Sequence, residues 1–347
     1  MYIYITFFVI FLIFAMLSTD KFFFQKELYF LKPYFFVLSF FLILIAGFRE
    51  IGVSVDDLNY LYIYNSANRG LAFKDIAFVI LSRIIPDFHL LLIVLAFFSI
   101  SLKSIFFTYH LKYLGVGFLL YYSSYYFLHD IVQIRAAVAS GLLFWIIIYA
   151  SRKNLIHYIF LIIIAISFHL SALIFIPIYF LRKKNVRIFY IVFAIISLLI
   201  GLFFPIEINS FKWLFPEIIL SRLTLFLEEA GSSANLLNPI SILHYLMVFL
   251  VLYKWNDIVN HSKYSVFIAK VFLFGVCLFL IFHKIPGIGF RIYELLVITQ
   301  IPLIDIFIQK IKPKTLVISG SILLSLLYFY YYIIKYPVVN SYSFHFL

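Results

Sequence analysis

Charge is scarce in this chain: only 12% of its 347 residues are Asp, Glu, Lys or Arg, against about a quarter in a soluble domain. With 65% hydrophobic residues beside that shortage, a soluble enzyme is excluded. Cysteine is nearly missing. The one present, Cys277, lies in an apolar run, allows neither an internal disulfide nor a thiolate metal cluster, and leaves the redox compartment unmarked. No HExxH, paired-His zinc spacing, GxSxG or CxxC occurs, so metal and serine-hydrolase chemistry lack support. No metal or other cofactor is expected. No internal repeat, heptad or low-complexity linker is evident, and the chain reads as a single integral membrane domain, 1–347.

What is present is apolar sequence, almost end to end. A hydrocarbon core of about 30 Å takes about 20 apolar residues per helix, which predicts an all-α polytopic membrane protein. Spans are expected at Tyr2–Leu17, then 33–48, 88–102, 114–128, 136–150, 188–204, 240–253, 264–282, 290–308 and 315–334. The first lacks a basic region before it and a small-residue cleavage site after it, and reads as a retained span. Residues 155–181 carry basic clusters on both flanks, Arg152 and Lys153 on one side and Arg182, Lys183, Lys184 and Arg187 on the other. Two short helices turning near Ser167 to Ser171 keep both clusters cytoplasmic, whereas a single kinked helix separates them. The hairpin gives twelve segments, about 11–12 of them transmembrane or re-entrant helices.

The formal charge of +12 first reflects cytoplasmic loops facing anionic lipid, and no nucleic-acid partner is expected. In that topology 16 of the 27 basic residues are cytoplasmic, Lys103 among them, and ten of the 15 acids are external, Asp130 among them. Six of the nine arginines are external but only four of the 18 lysines. An arginine retained where lysine would supply the charge marks a use for the planar fork, with bidentate phosphate binding foremost.

Four external clusters follow. In FREIGVSVDDLNY, the residues Arg49, Gly52, Asp56 and Tyr60 stand at the end of the second span, where Asp56 near a cation can be ionised within reach of a membrane-held substrate. A solvated turn or helix cap is the plainer reading of Asp56 and Asp57. In HDIVQIRAAVASG, the residues His129, Asp130, Gln133 and Arg135 precede a span, so Arg135 joins a helix N-terminus as an anion site. Ala136, Ala137, Ala139, Ser140 and Gly141 form a small face for close helix packing. His169, at the tip of the hairpin, can be a base, an acid or a phosphate ligand near neutral pH. Arg291, Tyr293 and Glu294 open a late span behind a PGIG connection. The external loop 205–239, with Trp213 and the Glu228, Glu229 pair, could cover a site or stack on sugar.

FREIGVSVDDLNY, QIRAAVASG, SFHLSALIFIPIYFL and RIY, in this order, resemble the EpsG family of Wzy-type polysaccharide polymerases, over residues 2 to about 334. Ala136 and Ala137 depart from the pair expected after the arginine. The resemblance implies a GT-C-like multi-helix bundle in the bacterial inner membrane, with its active site on the extracytoplasmic side. It implies transfer of a growing glycan from one undecaprenyl-diphosphate-linked oligosaccharide to a sugar hydroxyl of the next. Membrane lipid, a flippase and a chain-length regulator would be its partners. On that reading Arg49, Arg135 and Arg291 bind the diphosphate, and Asp56 or His169 takes the hydroxyl proton, Asp56 being preferred because His169 can equally bind diphosphate, with Gly52, Tyr60, Gln133 and Tyr293 in support. An O-antigen ligase-like transferase is the nearest alternative. A membrane O-acetyltransferase lacks an acyl-donor site here, and a lipid-linked oligosaccharide flippase fits less well because the polar clusters gather on one face.

Overall fold

Without water to bond a bare backbone, an apolar run in lipid has to close its hydrogen bonds within a helix. The computed structural model of the chain describes residues 1–17, 28–69, 75–182, 186–204 and 234–345. Among these residues it is helical, with isolated bridges in place of any strand. Four of these helices are long and apolar enough to cross a membrane, or five if the bent pair Gly287–Val297 with Gln300–Lys310 is one span, and six apolar helices of 10–17 residues accompany them. The protein is an all-α polytopic membrane protein. Most of the expected loop 205–239, with Trp213, Glu228 and Glu229, lies outside the described residues.

The chain forms two compact units, Met1–Leu170 with Ile301–Leu347, and Ser171–Gln300. The first unit opens with α1 (Tyr2–Leu17), α2 (Leu28–Gly47), the short α3 (Asp57–Asn68) and α4 (Ile76–Ile84), and the long α5 (Phe88–His110). Helix α6 (Leu114–Tyr121) continues as a π-helical segment, Tyr122–Val132, and is followed by α7 (Ile134–Ser151) and α8 (Leu155–Phe168). A 3₁₀ segment, Leu170–Phe175, leads into the second unit: α9 (Ile178–Leu181), α10 (Arg187–Phe203), α11 (Pro239–Tyr253), α12 (Trp255–Val259), α13 (Lys263–Phe282) and α14 (Pro286–Val297). Helix α15 (Gln300–Lys310) returns to the first unit, where α16 (Lys314–Phe329) runs on as a π-helical segment, Tyr330–Lys335.

The helices follow the expected spans closely, and the stretch 155–181 breaks at His169, inside the turn expected at 167–171. The span expected at 88–102 runs on to His110, and the one at 290–308 is broken. Packing follows side-chain size. The small face of α7 is buried, and a Cβ on Gly141 would stand 3.1 Å from Leu102 Cβ and 3.3 Å from the Ser99 carbonyl of α5. At Gly115 a Cβ would collide with the Phe14 carbonyl, so α1 and α6 meet backbone to backbone. Phe118 fills the space beside this contact, its ring stacked 4.6 Å from Phe35 and 6.0 Å from Phe11.

One part of the expected charge topology is corrected. Lys103 and Asp130, assigned to opposite faces of the membrane, form an ion pair of 2.8 Å with no exposed side-chain surface on either partner. The same carboxylate accepts from Ser99 and Tyr121 hydroxyls, each at 2.6 Å. A buried charge needs a partner and further hydrogen bonds, and the four groups supply both.

After α16 the chain folds back over the segment that follows α2. Asn340 N–H donates to the Val53 carbonyl at 2.8 Å, Glu50 N–H to Ser343 at 3.0 Å and His345 N–H to Phe48 at 2.8 Å. The Tyr342 hydroxyl reaches the Ile45 carbonyl at 2.8 Å, and the His345 ring stacks on His89 at 3.5 Å. Each such bond contributes about 0.5–1.5 kcal/mol. A chain ending at Tyr336 is therefore expected to unfold at a clearly lower temperature than the full chain in detergent. An unchanged midpoint would show the tail to be dispensable.

Candidate functional site

The loop after α2 is built around a turn that only glycine adopts easily: Gly52 has φ of 101° and no heavy atom within 4 Å of where a Cβ would stand. The turn brings the first residue of α3 back onto Arg49. Arg49 Nη2 and Nε donate to Asp57 Oδ1 at 2.8 and 3.2 Å, while Nη1 donates to the Ala46 carbonyl. Asp57 Oδ2 accepts the amides of Ser54 and Gly52 at 2.8 and 3.2 Å. Both side chains are fully enclosed.

The acid that meets Arg49 is thus Asp57, the neighbour of Asp56. Asp57 begins α3 on its inner side and meets Arg49, while Asp56 is half-buried at the cap position, its carbonyl accepting from Tyr60 N–H at 3.0 Å. Arg49 was expected to bind diphosphate, but here its donors close the loop and none of its surface is exposed.

A second arginine sits differently. Arg135, in the first turn of α7, pairs through Nη1 with Asp75 Oδ2 and keeps 17% of its side chain exposed. Its guanidinium lies over the rings of Tyr60 and Phe78, at 5.0 and 5.7 Å from their centroids. Arg135 Nε has no hydrogen-bond acceptor among the described residues. The cation is held in place, with Nε–H enclosed and 17% of the side chain left open.

Asp75 was counted as an external acid but not singled out, because nothing in its local sequence distinguishes it. The structure makes it the centre of the cluster. Oδ2 holds Arg135 and Oδ1 accepts the Leu170 amide at 3.3 Å, so one carboxylate ties the start of α7 to the turn bearing His169. Its backbone is left-handed, with φ of 54°, a conformation that costs a non-glycine residue about 1–3 kcal/mol and recurs where function demands it.

Around this centre stand Asp56, Tyr60 and His169. Burial pushes the Tyr60 phenol up from its ordinary value of 10.0; Arg135 opposes the shift, and Asp56 and Asp75 add to it. The phenol is a neutral hydrogen-bonding group at physiological pH. His169 is half-buried just past the last turn of α8, its amide on the Ala165 carbonyl at 2.9 Å. Gln133 caps the start of α7 through its carbonyl, which accepts from Ala137 N–H at 2.9 Å. Of the expected site residues, Asp56, Tyr60, Gln133, Arg135 and His169 therefore belong to one region of the first unit, and Arg49 and Gly52 brace the loop beside them.

Arg291 and Tyr293 belong to the second unit, on α14. Arg291 is exposed, whereas Tyr293 is buried with its hydroxyl against His244 Nδ1. His244 Nε2 is 2.8 Å from Gln300 Oε1, at the break between α14 and α15. Sequence reading missed His244; a single histidine inside an apolar run was its only signal. Among the described residues no three His, Cys, Asp or Glu side chains are placed to hold a metal ion.

A multi-pass membrane protein whose polar residues gather round an arginine at a helix start is the class this architecture defines. The chain belongs to the EpsG family, whose model matches residues 32–346, nearly the whole chain. EpsG is a Wzy-type polysaccharide polymerase family. No curated protein and no solved structure matches the chain.

Proposed function

We propose that this protein polymerises undecaprenyl-diphosphate-linked oligosaccharide repeats at the extracytoplasmic side of a bacterial inner membrane, moving the growing glycan onto a sugar hydroxyl of the incoming repeat. The observation that carries the reading is Arg135, anchored by Asp75, flattened on Tyr60 and Phe78, and left with an unused Nε–H donor among the described residues. The leaving group of the transfer is a lipid diphosphate. A fixed guanidinium at the start of a helix stabilises the negative charge that develops on it without reorganising. Asp56 takes the proton of the attacking hydroxyl, and His169 is the other group able to do so. Membership of a polysaccharide polymerase family supports the reaction class.

Reconstitution tests this directly. Protein in proteoliposomes with a lipid-linked repeat as sole substrate is expected to yield a ladder of longer lipid-linked glycans. Transfer of the repeat to a different lipid acceptor would favour a ligase instead, and movement of the intact repeat across the bilayer without elongation would favour a flippase.

A further inference from the structure

Asp75 precedes the first turn of α4, where a carboxylate ordinarily accepts an amide of its own helix. Asp87 does so at the start of α5, taking the Leu90 N–H at 2.8 Å. Asn154, Asn238 and Ser262 do the same for α8, α11 and α13, at 3.2, 2.9 and 3.0 Å. Asp75 makes no such bond. Its carboxylate turns away from α4, and both oxygens go to other elements: Oδ2 to Arg135 Nη1 on α7, and Oδ1 to the Leu170 amide just past His169. The left-handed backbone at Asp75 accompanies this arrangement. A local cap is given up and an unfavourable conformation adopted, in exchange for bonds that join three segments distant in sequence.

Helix α4 keeps that carboxylate in place. Phe78, one turn on from Asp75, lies under the Arg135 guanidinium at 5.7 Å, so the same helix takes the cation by its edge and by its face. Tyr60 of α3 supplies the other ring, at 5.0 Å. At the far end of α4, Arg83 Nε donates to the Ala67 carbonyl at 3.0 Å, and the Tyr64 hydroxyl donates to the Ile85 carbonyl at 2.9 Å, so α4 is tied to the helix that carries Tyr60. It also packs against α8, whose last turn leads to His169. With 11% of the Asp75 side chain exposed, water competes little for either of its bonds.

We propose that Asp75 is a positioning residue for glycan transfer: by bonding Arg135 and the Leu170 amide with one carboxylate, it holds the cation for the leaving diphosphate and the turn bearing His169 at a fixed separation. This rests on the reading of Arg135 as the diphosphate ligand. Asp75 acts through the planar fork of Arg135, so its loss matters less where that fork has already been removed. Its negative charge also opposes an incoming diphosphate. Removing the carboxylate therefore tightens ground-state binding of the anion while slowing the reaction, because orientation is realised in the transition state.

The test uses the full chain in nanodiscs with a lipid-linked repeat. In Asp75→Asn the new side chain tolerates left-handed backbone as aspartate does, and its amide oxygen still accepts from Leu170. The variant is expected to lower kcat about 10²-fold, the cost of a misplaced catalytic group, with KM unchanged or lower. In the Arg135→Lys background the same substitution should cost clearly less. Leu170→Pro removes the other bond alone. His169 is already extended, at φ of −152° and ψ of 113°, as a residue before proline must be, and the Leu170 side chain is 64% exposed, so little packing is lost. This variant should lower kcat about 10-fold, the equivalent of one hydrogen bond. An Asp75→Asn variant with wild-type kcat, a loss of the same size with and without Arg135→Lys, or a Leu170→Pro variant as active as wild type overturns the proposal.

Calorimetric titration with inorganic pyrophosphate reads the charge effect without turnover. Asp75→Asn should bind it about 3- to 10-fold more tightly than the wild type, the gain from removing one nearby like charge. Equal or weaker binding in the variant overturns the proposal whatever the glycan assay gives, and so does an absence of binding in both proteins. If the wild type elongates no lipid-linked glycan yet binds pyrophosphate, and the variant binds it more tightly, it is the transfer reading that falls, while the hold of Asp75 on Arg135 stands.

Discussion

Asp57→Ala is expected to destabilise the folded protein by about 3–5 kcal/mol, the cost of leaving one member of a buried ion pair without its partner. Arg49 would keep its Ala46 contact but lose both bonds to the carboxylate, at 2.8 and 3.2 Å, inside a region with no exposed surface to admit water. The amides of Gly52 and Ser54 would lose their acceptor in the same substitution. Arg49→Ala should cost a similar amount, because it strands the carboxylate. The double variant Arg49→Met with Asp57→Leu should be milder than either, since removing both charges removes the desolvation cost as well. Thermal unfolding in detergent, followed by the loss of the monodisperse peak, checks all three. If Arg49→Ala instead left stability intact and abolished elongation, Arg49 would return to the role of a diphosphate ligand.

Arg135→Lys is expected to lower the rate of elongation by about 10²–10³-fold, the range seen when one preorganised donor to a developing oxyanion is lost. Lysine retains the charge and can still pair with Asp75, so membrane abundance and the unfolding midpoint should stay close to wild type. What it lacks is the planar fork. Arg135 holds Asp75 with one nitrogen, lies over Tyr60 and Phe78 and keeps Nε–H without an acceptor among the described residues, and an ammonium cannot do all three from one point. Initial rates on a lipid-linked repeat, with the protein amount measured in the same vesicles, provide the check. Wild-type rates in the Lys variant would remove the bidentate role.

These two arginines separate what can be read along the chain from what cannot. Both sit at the ends of apolar runs and both stand among polar residues, so by sequence they were equivalent ligands for diphosphate. The structure encloses one and leaves an edge of the other exposed, at 0% and 17% of the side chain. The difference lies in the carboxylate each one meets. Arg49 finds Asp57 eight residues away, across a turn whose shape depends on Gly52, whereas Arg135 finds Asp75 sixty residues away on another element. Asp75 could not be recognised in advance, because its value comes from reaching Arg135 and Leu170 together. Lys103 and Asp130 failed for a related reason: charge bias sorts residues that end spans, and it has no information about an ion pair placed within the bundle.

The sequence by itself determined that this is an all-α protein of the membrane, where most of its helices run, that the stretch 155–181 breaks near His169, and which family motifs it carries. Those properties are local. An apolar run of sufficient length has one way to satisfy its backbone in lipid, and the motifs are contiguous. Only the tertiary structure decided which acid meets which cation, that the tail closes over the loop after α2, and that His129 meets Ser140 of α7. Each depends on groups brought together from separate segments, and in a low-dielectric interior it is such pairing, more than the presence of a charge, that sets what a polar side chain can do.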